Sequence, residues 1–254
     1  MSDQATKARA FQALHVSGNP LILFNVWDAG TAKAVAASGA KALATGSWSV
    51  AAAHGFADGE YMPFDLALAN LERIVAATDL PVTIDLESGY GATPDDVGAT
   101  VARAVEAGAV GCNLEDGSRE AGPLRDVADQ VARLKGARNA AERLGIPAFL
   151  NARTDVFLIA PAAEHEGLVA EALARGRAYA DAGADGFFVP GLVNETLIAR
   201  VVEQSPLPVN IMVTPSAPPA RRLAELGVAR ISHGPGPYRA MMKLLEEAAR
   251  AALL

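Results

Sequence analysis

Along most of the chain, short apolar runs alternate with longer stretches whose apolar residues recur at helical spacing, and the junctions between them are punctuated regularly. Where a helical stretch gives way to a β-prone run, a glycine stands at Ser38-Gly39-Ala40, Ala107-Gly108-Ala109, Ala182-Gly183-Ala184 and Leu226-Gly227-Val228. Glycine there can end a helix in the left-handed conformation. Between these lie Leu80-Pro81-Val82, Ile146-Pro147-Ala148 and Leu207-Pro208-Val209, where proline stops a helix and favours an extended chain. The two kinds of junction alternate. With Asn19-Pro20-Leu21 opening the first run, they predict eight strand starts, near Leu21, Ala42, Val82, Val110, Ala148, Gly186, Val209 and Ala229. Eight strands separated by helices form the α/β pattern of a (β/α)8 TIM barrel.

The pattern adds a helix at each end. Ser2 to His15 reads as an extra helix before the first strand, and Tyr238 to Leu253 as a final amphipathic helix rich in Leu, Met and Ala, apolar enough to pack on another subunit. An open doubly wound sheet is the competing arrangement. Its glycine-rich phosphate turn is missing after the first strand, which runs Asn25-Val26-Trp27-Asp28-Ala29-Gly30. No linker or second composition regime interrupts the 254 residues, so residues 1–254 are read as a single barrel domain.

Composition narrows the function. The net charge is -7 and the Lys and Arg residues are scattered, which leaves no basic face for a nucleic acid. Met1 to Ser17 lacks the apolar run of a signal peptide, and no segment reaches the ~18 uninterrupted apolar residues of a membrane span, so a cytoplasmic location is expected. The single cysteine, Cys112, sits in an apolar run; it rules out an intrachain disulfide and reads as a buried small hydrophobe.

In a barrel, the C-terminal ends of the strands carry the chemistry, and here those ends are acidic. The third strand ends Thr83-Ile84-Asp85-Leu86-Glu87, and the period of two places Asp85 and Glu87 on one face, with Ile84 and Leu86 toward the helices. The fourth ends Asn113-Leu114-Glu115-Asp116, which adds Glu115 at the parity of Asn113. Carboxylates converging in a partly enclosed site repel one another unless a cation sits among them. An oxygen-only set favours a hard ion, Mg2+ before Ca2+, and no His or Cys accompanies it to suggest zinc. The alternative is that these acids form salt bridges with Arg153 and helix N-termini around the rim. The fifth strand ends Asn151-Ala152-Arg153-Thr154-Asp155, and parity sends Arg153 inward. Its guanidinium can fork onto a substrate carboxylate or a developing oxyanion, or pair with Asp155 or Glu115. After the second strand, Thr45-Gly46-Ser47-Trp48 offers a glycine and amides that can approach a carboxylate.

The run Asp85-Leu86-Glu87-Ser88-Gly89-Tyr90-Gly91 resembles the Asp-x-Asp-Thr-Gly-Tyr-Gly stretch of the isocitrate lyase and phosphoenolpyruvate mutase superfamily, and the agreement covers nearly the whole chain. Gly55-Phe56-Ala57-Asp58-Gly59 is similar to its loop with a metal-site Asp, Leu114-Glu115-Asp116 to its Ile-Glu-Asp, and Ala152-Arg153-Thr154-Asp155 to its Ala-Arg-Thr-Asp. Ala182-Gly183-Ala184-Asp185 and Gly234-Pro235-Gly236-Pro237-Tyr238-Arg239 fit later landmarks. The resemblance implies a barrel whose last helix is exchanged between subunits of a dimer or tetramer, a homotetramer being the expectation here. It implies a Mg2+ site using Asp85, Glu87, Glu115 and Asp58, directly or through water. It gives Gly46 and Ser47 to the substrate carboxylate and Arg153 to its oxyanion. The shared chemistry makes or breaks a bond beside the carbonyl of a small 2-oxo acid through a pyruvate-like enolate.

Two departures narrow that implication. Glu87 stands where the family has Asp, and a longer side chain shifts the ion or its water by about one methylene. The loop after Glu115 reads Asp116-Gly117-Ser118-Arg119-Glu120-Ala121-Gly122-Pro123-Leu124-Arg125 where the lyases carry Lys-Lys-Cys-Gly-His, so their catalytic Cys is missing. Without that acid, cleavage of isocitrate or 2-methylisocitrate by the usual route is not expected. Decarboxylation of oxaloacetate or a related 2-oxo dicarboxylate fits what remains. The runner-up is another carbon–carbon lyase or phosphonopyruvate-type enzyme using Glu120, Ser118 or Arg119, with Glu120 the candidate catalytic residue against its reading as a solvated loop charge. A weak binder of 2-oxo acids is the non-enzymatic alternative. His233 is expected to line the pocket floor, Tyr90 either reaches the site or packs, and Trp27 and Trp48 are either an aromatic wall for substrate or filler at the barrel mouth.

Overall fold

Eight parallel strands stand where the alternating junctions predict them in a computed structural model that describes residues 3–117 and 123–253. They are β1 (Leu21–Leu23), β2 (Leu43–Ala44), β3 (Val82–Asp85), β4 (Gly111–Glu115), β5 (Phe149–Arg153), β6 (Gly186–Phe188), β7 (Val209–Met212) and β8 (Arg230–Ser232). The ladder runs β1-β8-β7-β6-β5-β4-β3-β2. A parallel bridge between Val26 and Thr45 brings its two ends together, so the barrel is nearly closed. The junction glycines Gly39, Gly108, Gly183 and Gly227 take φ of 89, 102, 92 and 84°, the left-handed geometry that turns each helix into the next strand.

The helices are α1 (Asp3–Ala13), α2 (Ala29–Ala37), α3 (Ser47–Ala53), α4 (Phe64–Ala76), α5 (Pro94–Glu106), α6 (Val127–Arg143), α7 (Val156–Ile159), α8 (His165–Asp181), α9 (Glu195–Gln204), α10 (Ala220–Glu225) and α11 (Gly236–Ala252). Local chemistry starts several of them. Asp28 and Thr31 form a reciprocal capping box on α2, and Thr93 and Asp96 do the same on α5, where Pro94 occupies the first turn. None of the described helices is long and apolar enough to cross a membrane.

The extra helix α1 closes the bottom of the barrel. Phe11 is fully buried and edge-on to Phe149 at 5.7 Å, and His15 stacks on the same ring at 3.9 Å. Above this plug the interior is polar. Arg230 of β8 donates to Asn113 Oδ1 of β4 at 3.2 Å, a bond between non-neighbouring strands that must cross the barrel, and Asn151 Nδ2 donates to the same oxygen at 2.9 Å. The outward residues Ile84, Leu86, Cys112, Leu114, Leu150, Ala152, Ile211 and Ile231 are all buried under the helices. Strand β1 is the exception: Ile22, and Phe24 just past the strand, stay 48% and 46% exposed.

Candidate active site

Three strands end on the residues that parity singled out. Asp85, Glu115 and Arg153 are the last residues of β3, β4 and β5, and Glu115 is in register with Arg153. Arg153 is the hub. Its Nη1 meets Glu115 Oε2 at 2.7 Å, while Nε and Nη2 fork onto Asp155 Oδ1 and Oδ2 at 2.6 and 3.0 Å. Of five N–H groups on a guanidinium, these contacts use three. Burial works against the charge of Arg153, but Glu115, Asp155 and Asp85 outweigh it and raise its pKa. Burial pushes Glu115 well above the carboxylate range, Asp155 and Asp85 adding to the rise and Arg153 opposing it.

Asp85 is organised by the turn after β2. Its Oδ2 accepts from the Ser47 amide at 3.2 Å and the Ser47 hydroxyl at 3.0 Å, and its own amide donates to Thr45 Oγ1 at 3.0 Å. Its other oxygen, Oδ1, is buried with no protein partner. Asp58 is close enough to Asp85 that burial, and after it the Asp85 charge, raise its pKa. Ser47 therefore holds Asp85 through both its amide and its hydroxyl. Gly46 has φ -127°, and a Cβ there would meet Asn25 at an ordinary 3.6 Å, so neither backbone nor crowding demands glycine.

Glu87 departs from the expected parity. The strand stops at Asp85 and Glu87 takes φ 51°, so its side chain leaves the shared face. Its Oε2 accepts from the Gly59 and Glu60 amides at 2.7 and 2.6 Å, and Oε1 accepts from the Tyr90 hydroxyl at 2.7 Å. Burial lifts its pKa to about 7, against the Tyr90 hydrogen bond. Tyr90 packs its ring on Phe64 at 5.3 Å while its hydroxyl reaches Glu87.

The remaining residues line the rim. Trp48 lies under Arg239 at 4.4 Å and edge-on to Tyr238 at 5.9 Å, so its contacts tie α3 to α11. Trp27 meets Tyr238 at 5.1 Å in the same cluster. His233 is half-buried beside Phe24 at 5.0 Å, and burial lowers its pKa. Glu120, with Ser118 and Arg119, lies outside the described residues. The stem of their loop is built: Gly117 and Leu124 form an antiparallel bridge, and the Arg125 amide donates to Asp116 O at 2.8 Å.

Several contributors carry no local signal in the sequence. Asn25 Oδ1 accepts from the His233 and Gly234 amides, both at 2.9 Å, and its Nδ2 donates to Thr45 O, stitching β1 to the turns after β8 and β2. Fully buried Asp116 accepts from the Asp155 amide, the Tyr179 hydroxyl and Arg175 Nη1 at 2.9, 2.7 and 3.1 Å. A large concavity of about 960 Å3 lies elsewhere: it runs between β1, α2 and α11, lined by Ile22, Phe24, Met241 and Leu244 among others.

The sequence pattern of the phosphoenolpyruvate phosphomutase family matches residues 11–253. A solved protein of Burkholderia cenocepacia J2315, described as a candidate phosphonomutase, superposes with a TM-score of 0.96 at 56% identity, covering 98% of this chain and 99% of that one. The 2-methylisocitrate lyase of Salmonella typhimurium strain LT2 is 28% identical over 249 residues, 94% of this chain and 82% of the lyase. The oxaloacetate decarboxylase of Pseudomonas entomophila strain L48 is 30% identical over 241 residues, 92% of this chain and 80% of the decarboxylase.

Proposed function

This chain belongs to the phosphoenolpyruvate phosphomutase family, and from that premise we propose that it is a Mg2+-dependent carbon–carbon lyase that decarboxylates a small 2-oxo dicarboxylate such as oxaloacetate. The observation that carries the reading is the juxtaposition of Asp85, whose Oδ1 is buried without a partner, with the Arg153 guanidinium held between Glu115 and Asp155.

The donor set fits the ion. Among the described residues no three His, Cys, Asp or Glu side chains converge as a ready-made cage, and Mg2+ does not need one, since it keeps several waters and uses one or two carboxylates. Asp85 would hold it, with Asp58 and Glu115 beside it directly or through water; both oxygens of Glu87 already accept from the Gly59 and Glu60 amides and the Tyr90 hydroxyl. When bound, the ion supplies a fixed positive charge next to the oxygen that becomes negative as the bond breaks.

The chain's own groups do the rest. The N–H groups of Arg153 not engaged by Glu115 and Asp155 donate to the C2 oxygen of the substrate, and their worth grows as negative charge moves onto it. The bond between C3 and C4 breaks, its electron pair stays on C3 and delocalises to the C2 oxygen, and carbon dioxide leaves. Water then protonates C3 to give pyruvate, so no dedicated acid is required. Gly46 and Ser47 would seat the substrate carboxylate, with Trp48 and His233 at the wall. A thiol acid is not at hand: Cys112 is the only cysteine, it is buried on the helix-facing side of β4, and burial pushes it up to about 12.

The same proposal includes the oligomer. Ile22 of β1 and Phe24 just after it are exposed over the 960 Å3 groove, and Met241, Leu244 and Leu245 of α11 are 47 to 59% exposed beside it. An α11 from a second subunit would cover both, in a dimer or tetramer that light scattering distinguishes from a monomer. The function is tested by assaying pyruvate release from a panel of 2-oxo and 2-hydroxy diacids, with Mg2+ and with EDTA, against Mg2+ in buffer. Turnover on oxaloacetate lost in EDTA and in a folded Asp85→Ala variant is expected. Activity indifferent to EDTA, or none on any 2-oxo diacid, overturns the reading.

A further inference from the structure

Backbone strain in the described residues is concentrated at one point beside the acids. Glu60, Glu87 and Tyr90, with φ of 62, 51 and 50°, are the non-glycine residues there that take positive φ. Side chains larger than Asn or Asp seldom adopt this conformation and persist in it only when their surroundings hold them. The three hold one another. Glu87 Oε2 accepts from the Gly59 and Glu60 amides and its Oε1 from the Tyr90 hydroxyl, while Glu60 Oε1 accepts from the Ser88 hydroxyl at 2.8 Å and the Tyr90 amide at 2.9 Å.

The pattern is reciprocal. The turn after β3 sends the Glu87 carboxylate onto amides of the loop between α3 and α4, and that loop returns the Glu60 carboxylate onto donors of the turn. The turn is anchored from behind by buried Arg133 of α6, which donates to the Ser88, Gly91 and Ala92 carbonyls at 2.9, 2.7 and 3.2 Å. The clasped amides directly follow Asp58. A side chain one methylene shorter at 87 would fall short of them unless the loop moved.

We propose that Glu87 is a positioning residue: with Glu60 and Tyr90 it clasps the Asp58 loop against the turn after β3 and thereby fixes Asp58 among the acids, instead of serving as a ligand itself. The placement of Asp58 rests on the Mg2+ reading; the clasp does not.

Amide hydrogen exchange on the metal-free protein tests the clasp. In Glu87→Gln, one oxygen acceptor becomes an NH2 that cannot accept, and the Gly59 and Glu60 amides are expected to exchange about 10-fold faster or more, with a rise of about 3-fold in the milder Tyr90→Phe. Unchanged exchange in both variants overturns the proposal, and Tyr90→Phe alone decides it if Glu87→Gln does not fold. Calorimetric titration with Mg2+ tests the link to Asp58. If Glu87 acts through Asp58, the double variant Asp58→Ala/Glu87→Gln binds Mg2+ within about 2-fold of Asp58→Ala alone, because coupled residues are not additive. Losses that multiply would return Glu87 to the ligand set. A wild type that shows fast-exchange-protected amides and binds no Mg2+ would sink the metal reading and the positioning of Asp58 for it, while the clasp itself would stand.

Discussion

Replacing Arg153 by lysine keeps a positive charge at the end of β5 and removes the geometry that the site is built on. The guanidinium makes three charged contacts at once: 2.7 Å to Glu115, and 2.6 and 3.0 Å to the two oxygens of Asp155. A single ammonium cannot reproduce that fork. It can satisfy Asp155 or Glu115, and the other carboxylate is left short of a partner in a largely buried site, which costs about 1–3 kcal/mol, more if the group stays charged. Under the proposed function, the N–H groups that would donate to substrate are lost as well. Removing one donor to a developing oxyanion typically costs ~10^2–10^3 in rate, about 2.7–4 kcal/mol. We expect Arg153→Lys to lower the unfolding midpoint and to reduce kcat/KM on oxaloacetate by ~10^2-fold or more, mostly through kcat. Parallel thermal melts and steady-state assays measure the two effects separately. A variant within a few-fold of wild type in kcat/KM, with an unchanged midpoint, would show that charge alone suffices and that the fork has no catalytic part.

Gly117→Ala should damage the same site from behind, because an added Cβ would lie 2.5 Å from Asp155 Oδ2 and turn that carboxylate off Arg153; loss of kcat/KM with a lowered midpoint is expected, and wild-type values in both would refute it. His15 should make stability fall on acidification. Its Nδ1 bonds Phe11 O, its buried Nε2 has no partner, and burial, then Arg230, lower its pKa from 6.5 to about 3. The unfolded state therefore takes up a proton below pH 6.5 that the folded state refuses until about pH 3. Stability from this group is present above 6.5 and is lost as pH falls, by at most about 2 kcal/mol at pH 5. Urea midpoints of wild type and His15→Leu should converge between pH 7 and 5; parallel pH profiles would exclude His15 as the cause. A thiol-alkylating reagent should leave turnover unchanged, since the Cys112 thiol is buried and pushed up to about 12; rapid inactivation would place a reactive thiol at the site after all.

The fold was legible in the sequence because its boundaries are set by local chemistry. A glycine that must take φ near 90° and a proline that cannot continue a helix mark their positions whatever surrounds them, and the observed strands begin within a residue of the predicted starts. Parity found Asp85, Glu115 and Arg153 for a similar reason: each is still within its strand, where the period of two holds. The same argument misplaced Glu87, two residues farther on, because the strand had already ended and a left-handed turn had broken the period. Its partners Gly59 and Glu60 are 28 and 27 residues away in the chain. No spacing rule connects them, since such contacts follow from how two loops happen to lie above the barrel. Asn25 escaped notice likewise, as nothing in a lone asparagine after β1 announces that it joins three strand ends.

Glu115 and Asp116 show how far the alternation of a strand reaches into function. Consecutive carboxylates at the end of β4 leave the chain on opposite sides. Glu115 enters the site and pairs with Arg153; Asp116 turns into the helical layer, fully buried, where Tyr179 and Arg175 of α8 neutralise it. Asp116 then accepts the Asp155 amide at 2.9 Å, and its own amide donates to Arg153 O at 3.1 Å. The backbone just after Arg153 is thus pinned twice by Asp116, once by its side chain and once by its amide, and Arg175 Nη1 adds a bond to Arg125 O at the far stem of the loop. A guanidinium that must present its fork within a fraction of an ångström gains that precision from its supports. Two adjacent acids divide the work: one sets the charge that the site presents, and the other sets where the cation stands.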